Sequence, residues 1–538
     1  MPIFDGVVRG PSWSVLAVLV VLAVGFALLF WHSYSANDGH AIFALDDPYI
    51  HLAMARNLAH HGVWGVMPDA FSATSSSPLY TLLLGGLFLF SGATTVWSWV
   101  LAITGGLLVA VLLSRRLAES FQHPGIIIVG GIWCLIVAGI PESMFTGLEH
   151  TLHAASMIGI AYLLAGYAES TQRSPVHELF LLVTLVVAGG LRYESLFAIP
   201  FVFAYLFWRK RRGLAVLSAV VGVLPALVMG VVQVANGALL LPNSILLKGV
   251  AVHDGGWGYI ERFLAQIDSP FVSVLVMICA LGILLSVLGR EQVHKDPRLA
   301  STGLFLSIVV FHALFAQMER RYVPYLIVLG IWAAIPWISE WVREVYGRFR
   351  DVLTGHAGRR RVVLWLSVIA VGVLPYADRL LELGRLTKLG HDIYLQQYQV
   401  ARFWASEYPD ETVALNDIGT TAWAGANPVL DLWGLGNGEI ARERFNGTYN
   451  SHRIRSIVDE FGARVAAVYP HWFVPFGGMP PEWQPVGAWR LPPGTQVNAA
   501  GPQVVFYATS VADAQILSRR LKAYASQLPE GVTFTPFM

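Results

Sequence analysis

Long apolar runs separated by short polar breaks set the pattern of the first 376 residues. The runs fall at 13–31, 96–113, 125–140, 148–166, 177–190, 195–208, 214–235, 271–288, 301–316, 321–338 and 362–376. Several approach the roughly 20 residues with which a helix crosses a hydrocarbon core, so the pattern predicts about eleven spans. The first run exceeds the roughly 7–15 apolar residues of a secretory signal and no small-residue cleavage site follows it, so it reads as an anchor. The run at 78–91, roughly fourteen residues, is short for a span and is expected to lie along or re-enter the outer interface.

From residue 377 onward the periodicity changes to alternating helix and strand. Residues 393–407, 454–461 and 511–526 look helical, and 413–416, 429–432, 464–468 and 504–507 look like strands. Alternation of this kind predicts a small α/β unit. The expected fold is therefore an α-helical multi-pass membrane domain over 1–376, with a first outer loop at 32–77, followed by a soluble α/β domain over 377–538. The glycines of Trp433–Gly438 do not have the dinucleotide-binding spacing and read as a turn.

Composition removes the soluble alternative. The chain is 55% hydrophobic and 13% charged with a mean hydropathy of +0.56, against roughly 25% charged residues in a soluble protein. A net charge of +1 offers no field for nucleic acid. Cys134 and Cys279 both lie in apolar runs and imply neither a disulfide framework nor a metal site. The basic residues cluster at Arg115–Arg116, Arg209–Arg212, Arg290–Arg298, Arg343–Arg350 and Arg359–Arg361. These loops are expected to be cytoplasmic, which puts the N-terminus inside. The loops at 32–77, 141–147, 191–194, 236–270 and 317–320, and everything after 377, then fall outside.

The candidate chemistry gathers on that outer side. Leu45-Asp46-Asp47-Pro48 opens a short helix, with Asp47 suited as N-cap and Pro48 at the first helical position. Ile50, Met54 and Leu58 form an apolar stripe expected to rest on the membrane surface. Asp46, one residue ahead of the cap, is free to take a proton from a bound hydroxyl. The mutual repulsion of Asp46 and Asp47 suits general-base work or a divalent cation such as Mg or Mn; a cap alone is the other reading of Asp47. His51 and Arg56 ride on the same helix. Glu149 starts a later span, as a cap or a second acid. Arg192, Glu194, Lys248, His312, Glu319, Arg320 and Arg321 stand at the outer ends of apolar segments, where ionisable groups are costly. Arg192 with Glu194 also reads as a pair that ties helices together, and Lys248, Arg320 and Arg321 as cations that snorkel to headgroups.

Several segments, taken in order, resemble a known family. Asp46-Asp47 at a helix start, Ser76-Ser77-Pro78-Leu79-Tyr80, Thr146-Gly147-Leu148-Glu149, Leu191-Arg192-Tyr193-Glu194, Pro242-Asn243-Ser244-Ile245-Leu246-Leu247-Lys248, Arg320-Arg321-Tyr322-Val323-Pro324, Asn416-Asp417-Ile418-Gly419 and Val429–Leu435 are similar to the GT-C lipid-linked glycosyltransferases. The similarity is to the bacterial branch with mycobacterial-type arabinofuranosyltransferases, protein mannosyltransferases and aminoarabinose transferases. Ser244 and Tyr193 depart from the Thr and Pro more usual there. The resemblance implies an inverting enzyme of a bacterial inner membrane. It would move a pentose such as arabinofuranose, or a hexose such as mannose, from a polyprenyl-phosphate carrier to an envelope glycan, lipid or protein. Lys248, Arg320, Arg321 and Arg192 would hold the carrier phosphate, and Asp46 would take the acceptor's proton. The rivals are a lipid or glycan transporter, which the lack of an internal repeat disfavours, and a non-catalytic envelope assembly protein.

Overall fold

The computed structural model describes residues 12–169, 174–248, 270–289, 296–316, 318, 321–352 and 384–537. Among the described residues six helices are long and apolar enough to cross a membrane: Ser12–Ala36, Val96–Phe121, His150–Ala168, Arg212–Ala235, Arg298–Phe315 and Pro324–Arg343. Pro124–Val137, Pro175–Leu191, Tyr193–Trp208 and Val272–Leu288 are apolar but shorter. The chain is a multi-pass membrane protein whose first ten expected runs are helical; the eleventh, 362–376, lies outside the described residues. Close helix crossings use small residues. A Cβ on Gly105 would stand 2.4 Å from Thr151 Oγ1, and that hydroxyl donates to Ala102 O at 2.8 Å, fastening Val96–Phe121 to His150–Glu169.

The loop at 141–147 is partly helical, because Gly139 turns the chain at φ 67° and Pro141 opens a short helix, Ile140–Phe145. Helix Pro78–Ser91 packs on Asp47–His61 with Leu58 near Gly85, while Leu82, Leu83, Leu89 and Phe90 stay exposed on its other side.

The C-terminal domain is a six-stranded mixed sheet in the order β2-β1-β3-β5-β4-β6. Its strands are β1 Val413–Leu415, β2 Val429–Asp431, β3 Val465–Val468, β4 Gln484–Arg490, β5 Gln503–Ala508 and β6 Thr533–Pro536. β1 runs parallel to β2 and β3, while β5, β4 and β6 continue antiparallel. The four strands expected from the pattern are present. β4 escapes a period-two reading because Pro485 and Gly487 interrupt it, and its register shifts between those two residues.

Two expectations for the first outer loop need correction. The N-cap of helix Asp47–His61 is Asp46, and Asp47 is the first helical residue; no side chain caps the helix, because the Asp46 carboxylate is engaged elsewhere. The Ile50 and Met54 stripe does not lie on a membrane surface. Ile50, Ala53, Met54 and Val66 belong to one buried cluster with Val400, Phe403, Trp404, Trp489 and Phe506 of the C-terminal domain. Burial of side chains of this size stabilises by about 1.5–3 kcal/mol each, so the loop is a packed layer between the bundle and the sheet domain.

Candidate active site

Four turns converge on one end of the bundle. The first begins helix Asp47–His61, and its neighbour, the Ser72–Ser77 loop, is cross-linked by hydroxyls. Ser75 Oγ stands 3.0 Å from Thr81 Oγ1 and 3.3 Å from His51 Nδ1, and that nitrogen lies 3.0 Å from Thr81 Oγ1. The second is the Thr146–Glu149 turn. Gly147 has φ 64°, and a Cβ there would meet the Phe43 ring at 2.2 Å, so only glycine allows the chain to deliver Glu149 to the cavity.

The third turn ends helix Pro175–Leu191. Arg192 is extended at φ −155° before the 3-10 turn Tyr193–Ala198, which puts the side chains of 192 and 194 on one side. The fourth is Pro242–Ser244. Asn243 N donates to Ala73 O at 2.7 Å, and Asn243 Nδ2 donates to Leu435 O at 3.1 Å, so one residue ties the first loop to the C-terminal domain.

These turns enclose a cavity of about 380 Å³ lined by Asp47, His51, Glu149, Arg192, Glu194 and Arg321 among others. Tyr193 and Ser244, the two departures from the usual family residues, line it as well. Asp47 Oδ2 lies 3.5 Å from an Arg321 guanidinium nitrogen, and both side chains are partly exposed. Arg192 is deeper and more fully engaged. It donates to Glu194 through Nε at 3.1 Å and Nη2 at 2.5 Å, to Glu149 Oε1 through Nη1 at 2.7 Å, and lies 3.0 Å from His150 Nδ1.

The remaining expected site residues lie elsewhere. Asp46 is buried and absent from the cavity wall. Its carboxylate accepts from Gly419 N at 2.5 Å and Thr420 N at 2.8 Å, and from the Thr420 hydroxyl, and it hydrogen-bonds Asp417. Burial raises the Asp46 pKa, and burial together with the nearby Asp46 charge holds Asp417 well above the usual carboxylate range. Arg56 donates to Trp423 O at 2.7 Å and Ala422 O at 3.1 Å, closing the end of helix Gly419–Ala424, so it fastens the C-terminal domain and does not face the cavity. His312 is fully buried with Nδ1 2.8 Å from the Tyr325 hydroxyl. Arg320, Glu319 and the side chain of Lys248 lie outside the described residues.

A cation held jointly by Asp46 and Asp47 does not fit. The Asp46 oxygens are filled by donors from 419 and 420, and Asp47 faces the other way. Among the described residues no group of three or more His, Cys, Asp or Glu side chains is placed to hold a metal ion. The glycine turn at 433–438 is a turn: Asp431 accepts from Trp433 N at 2.7 Å, Gly434 N at 3.1 Å and Gly436 N at 2.6 Å, and burial pushes its carboxyl up to about 6.

Single-sequence reasoning missed Asp417 and Thr420, which hold Asp46, Gln397, which holds Asp417, and His150 and Tyr322 on the cavity wall. Asp417 stands inside a segment that carries part of the resemblance, so a signal existed. Nothing in the sequence says that it faces residue 46.

Comparison with known proteins agrees on the architecture. Residues 391–507 match a family described as a domain of unknown function, DUF8728, and no curated protein matches the chain. Among solved structures, ArnT from Cupriavidus metallidurans in the apo state is similar over 92% of this chain and 98% of its own, at 15% identity and a TM-score of 0.51. The archaeal oligosaccharyltransferase AglB from Archaeoglobus fulgidus, in complex with an inhibitory peptide and a dolichol-phosphate, is similar over 99% of this chain and 76% of its own, at 13% identity and a TM-score of 0.51. A likeness that spans bundle and C-terminal domain together shows that the chain shares the fold of these two membrane proteins.

Proposed function

We propose that this protein is an inverting glycosyltransferase that moves a sugar from a polyprenyl-phosphate carrier to an envelope acceptor at the outer face of a bacterial inner membrane. The observation that carries the reading is the pairing of Asp47 with Arg321, 3.5 Å apart, on the wall of a cavity between the bundle and the C-terminal domain. A base and a phosphate-binding cation side by side are what the reaction needs. In support, a protein of like fold, AglB, has been seen with a dolichol-phosphate, a polyprenyl carrier.

In this reading the carrier phosphate meets Arg321, with Lys248 and Arg320 as further contacts, and the apolar walls at Leu196, Phe197, Leu241 and Phe315 take the start of the isoprenoid tail. Asp47 takes the proton of the acceptor hydroxyl, which attacks the anomeric carbon on the face opposite the phosphate and inverts it. The bond to the phosphate oxygen breaks, and the charge that grows there is met by the guanidinium. Arg192 is not available for that duty, since two carboxylates already satisfy it. Asp47 replaces Asp46 as the proposed base because only Asp47 reaches the cavity. The sugar and the class of acceptor hydroxyl are set by the cavity's polar wall, where Glu149, Glu194 and Tyr193 contact what enters.

The test is to incubate the purified protein with undecaprenyl-phosphate-linked arabinofuranose, aminoarabinose and mannose, with water as the acceptor hydroxyl, and measure release of undecaprenyl phosphate and free sugar. Asp47→Asn should reduce release by about 10²–10⁴ with binding of the carrier preserved. Release at the wild-type rate by Asp47→Asn, or no binding of any of the three donors, overturns the reading.

A further inference from the structure

Asp46 and Asp47 are adjacent, so their Cα atoms are about 3.8 Å apart, yet they serve different neighbours. Asp47 lines the cavity. Asp46 is held by a single turn of the C-terminal domain, directly after β1. Two backbone N–H groups and the Thr420 hydroxyl donate to its carboxylate, and Asp417 hydrogen-bonds it. A Cβ on Gly419 would lie 2.2 Å from Asp46 O, so the two backbones approach more closely than any side chain permits. Asp417 is itself fixed by Gln397 Nε2 at 2.9 Å, and the same turn is pinned where Tyr469 N donates to Asn416 Oδ1 at 3.0 Å. Each of these partners comes from the C-terminal domain, and Asp46 is the residue they seize.

Asp46 also directs the helix that begins at Asp47. Its carbonyl accepts from Tyr49 N at 3.1 Å, within the first turn of that helix. Fixing the Asp46 carboxylate and carbonyl therefore fixes the origin and axis of the helix and, with them, the place of the Asp47 carboxylate opposite Arg321. No side chain caps the helix start to do so in its stead.

We propose that Asp417 and Thr420 of the C-terminal domain are positioning residues of the active site, acting through Asp46 to hold Asp47 at the cavity. The C-terminal domain is thereby a working part of the catalytic centre as well as a cover over it. The hydrogen bond between Asp46 and Asp417 needs one proton between two carboxyl groups, with Asp417 as donor and Asp46 as the carboxylate that also receives Gly419 and Thr420. This proposal rests on Asp47 being the base.

The two claims separate in one set of measurements on the full chain: turnover and carrier binding with undecaprenyl-phosphate sugars, and amide hydrogen exchange over residues 45–51. Asp417→Ala should lower kcat by about 10²-fold, the scale set by an ångström of misplacement, with carrier affinity unchanged and faster exchange confined to 45–51. Asp417→Asn should restore kcat, because its amide donates to Asp46 as the protonated carboxyl does. Asp46→Ala with Asp417→Ala should be no slower than Asp46→Ala alone, since the second residue acts only through the first. Thr420→Val, which keeps the backbone N–H and removes the hydroxyl, should show a smaller loss of the same kind, and it carries the test if Asp417→Ala fails to fold. Wild-type kcat in Asp417→Ala and Thr420→Val, beside an inactive Asp47→Asn, overturns the positioning role and leaves the base standing. Activity in Asp47→Asn overturns the base itself.

Discussion

Removing Arg192 should cost the protein its stability before it costs any binding of the carrier. Arg192 is 6% exposed, and its guanidinium makes four polar contacts, two of them the parallel bonds to Glu194 and one to Glu149. Glu149 is 1% exposed. Arg192→Ala leaves both carboxylates without their counter-charge in a place where water reaches one of them poorly, and breaking a buried pair in this way costs about 3–5 kcal/mol. Set against a typical total of about 5–15 kcal/mol, that is a large share. Arg192→Lys keeps the charge but cannot fork across two carboxylates, so its cost should be nearer the about 1–3 kcal/mol of a lost hydrogen bond. Removing the stranded charges as well, with Glu149→Gln and Glu194→Gln in the Arg192→Ala background, should recover part of the loss. Thermal unfolding in detergent, monitored by tryptophan fluorescence, orders the four proteins. If Arg192→Ala melts with the wild type while carrier affinity disappears, Arg192 is a phosphate ligand and the argument from its two carboxylates is refuted.

Three further outcomes are expected. Arg321→Ala should weaken binding of undecaprenyl phosphate by about 1.5–3 kcal/mol, the worth of a charge-assisted contact, read by titration; unaltered affinity would remove it from the phosphate site. The Asp46 and Asp417 carboxyls have raised pKa values, so the native protein keeps a proton that the unfolded chain gives up above about pH 4. Their contribution is then complete at low pH and is lost as pH rises through the folded values; Asp417→Asn should flatten that loss with rising pH in a series of melts, and an unchanged slope would refute the shared proton. Gly105→Ala should destabilise the bundle by about 1–3 kcal/mol through overpacking, because the new methyl meets Thr151 Oγ1 and Leu152 N at 2.4 and 2.5 Å; a wild-type melt would show that the crossing has room.

What the sequence made legible, and what it hid, divides along the range of the interaction involved. The helices of the bundle and four of six strands depend on neighbours within a few residues, and their periodicity or punctuation is written locally. The amphipathic stripe on Asp47–His61 was equally legible as a stripe, but its partner was not, because a hydrocarbon surface and the Phe403 and Trp489 side of a folded domain make the same demand on Ile50 and Met54. The same ambiguity governs the acidic pair. Two adjacent carboxylates at a helix start announce that one of them is special, yet which one depends on donors at 419 and 420, more than 370 residues away. Local rules favoured Asp46 as the free group because Asp47 made the better cap. The structure puts Asp47 and not Asp46 on the cavity wall, because a carboxylate met by two backbone N–H groups and a hydroxyl gains more from those charge-assisted bonds, each about 1.5–3 kcal/mol, than from a cap worth about 1 kcal/mol. The long-range contact wins the nearer residue, and the helix, left without a side-chain cap, carries Asp47 into the cavity.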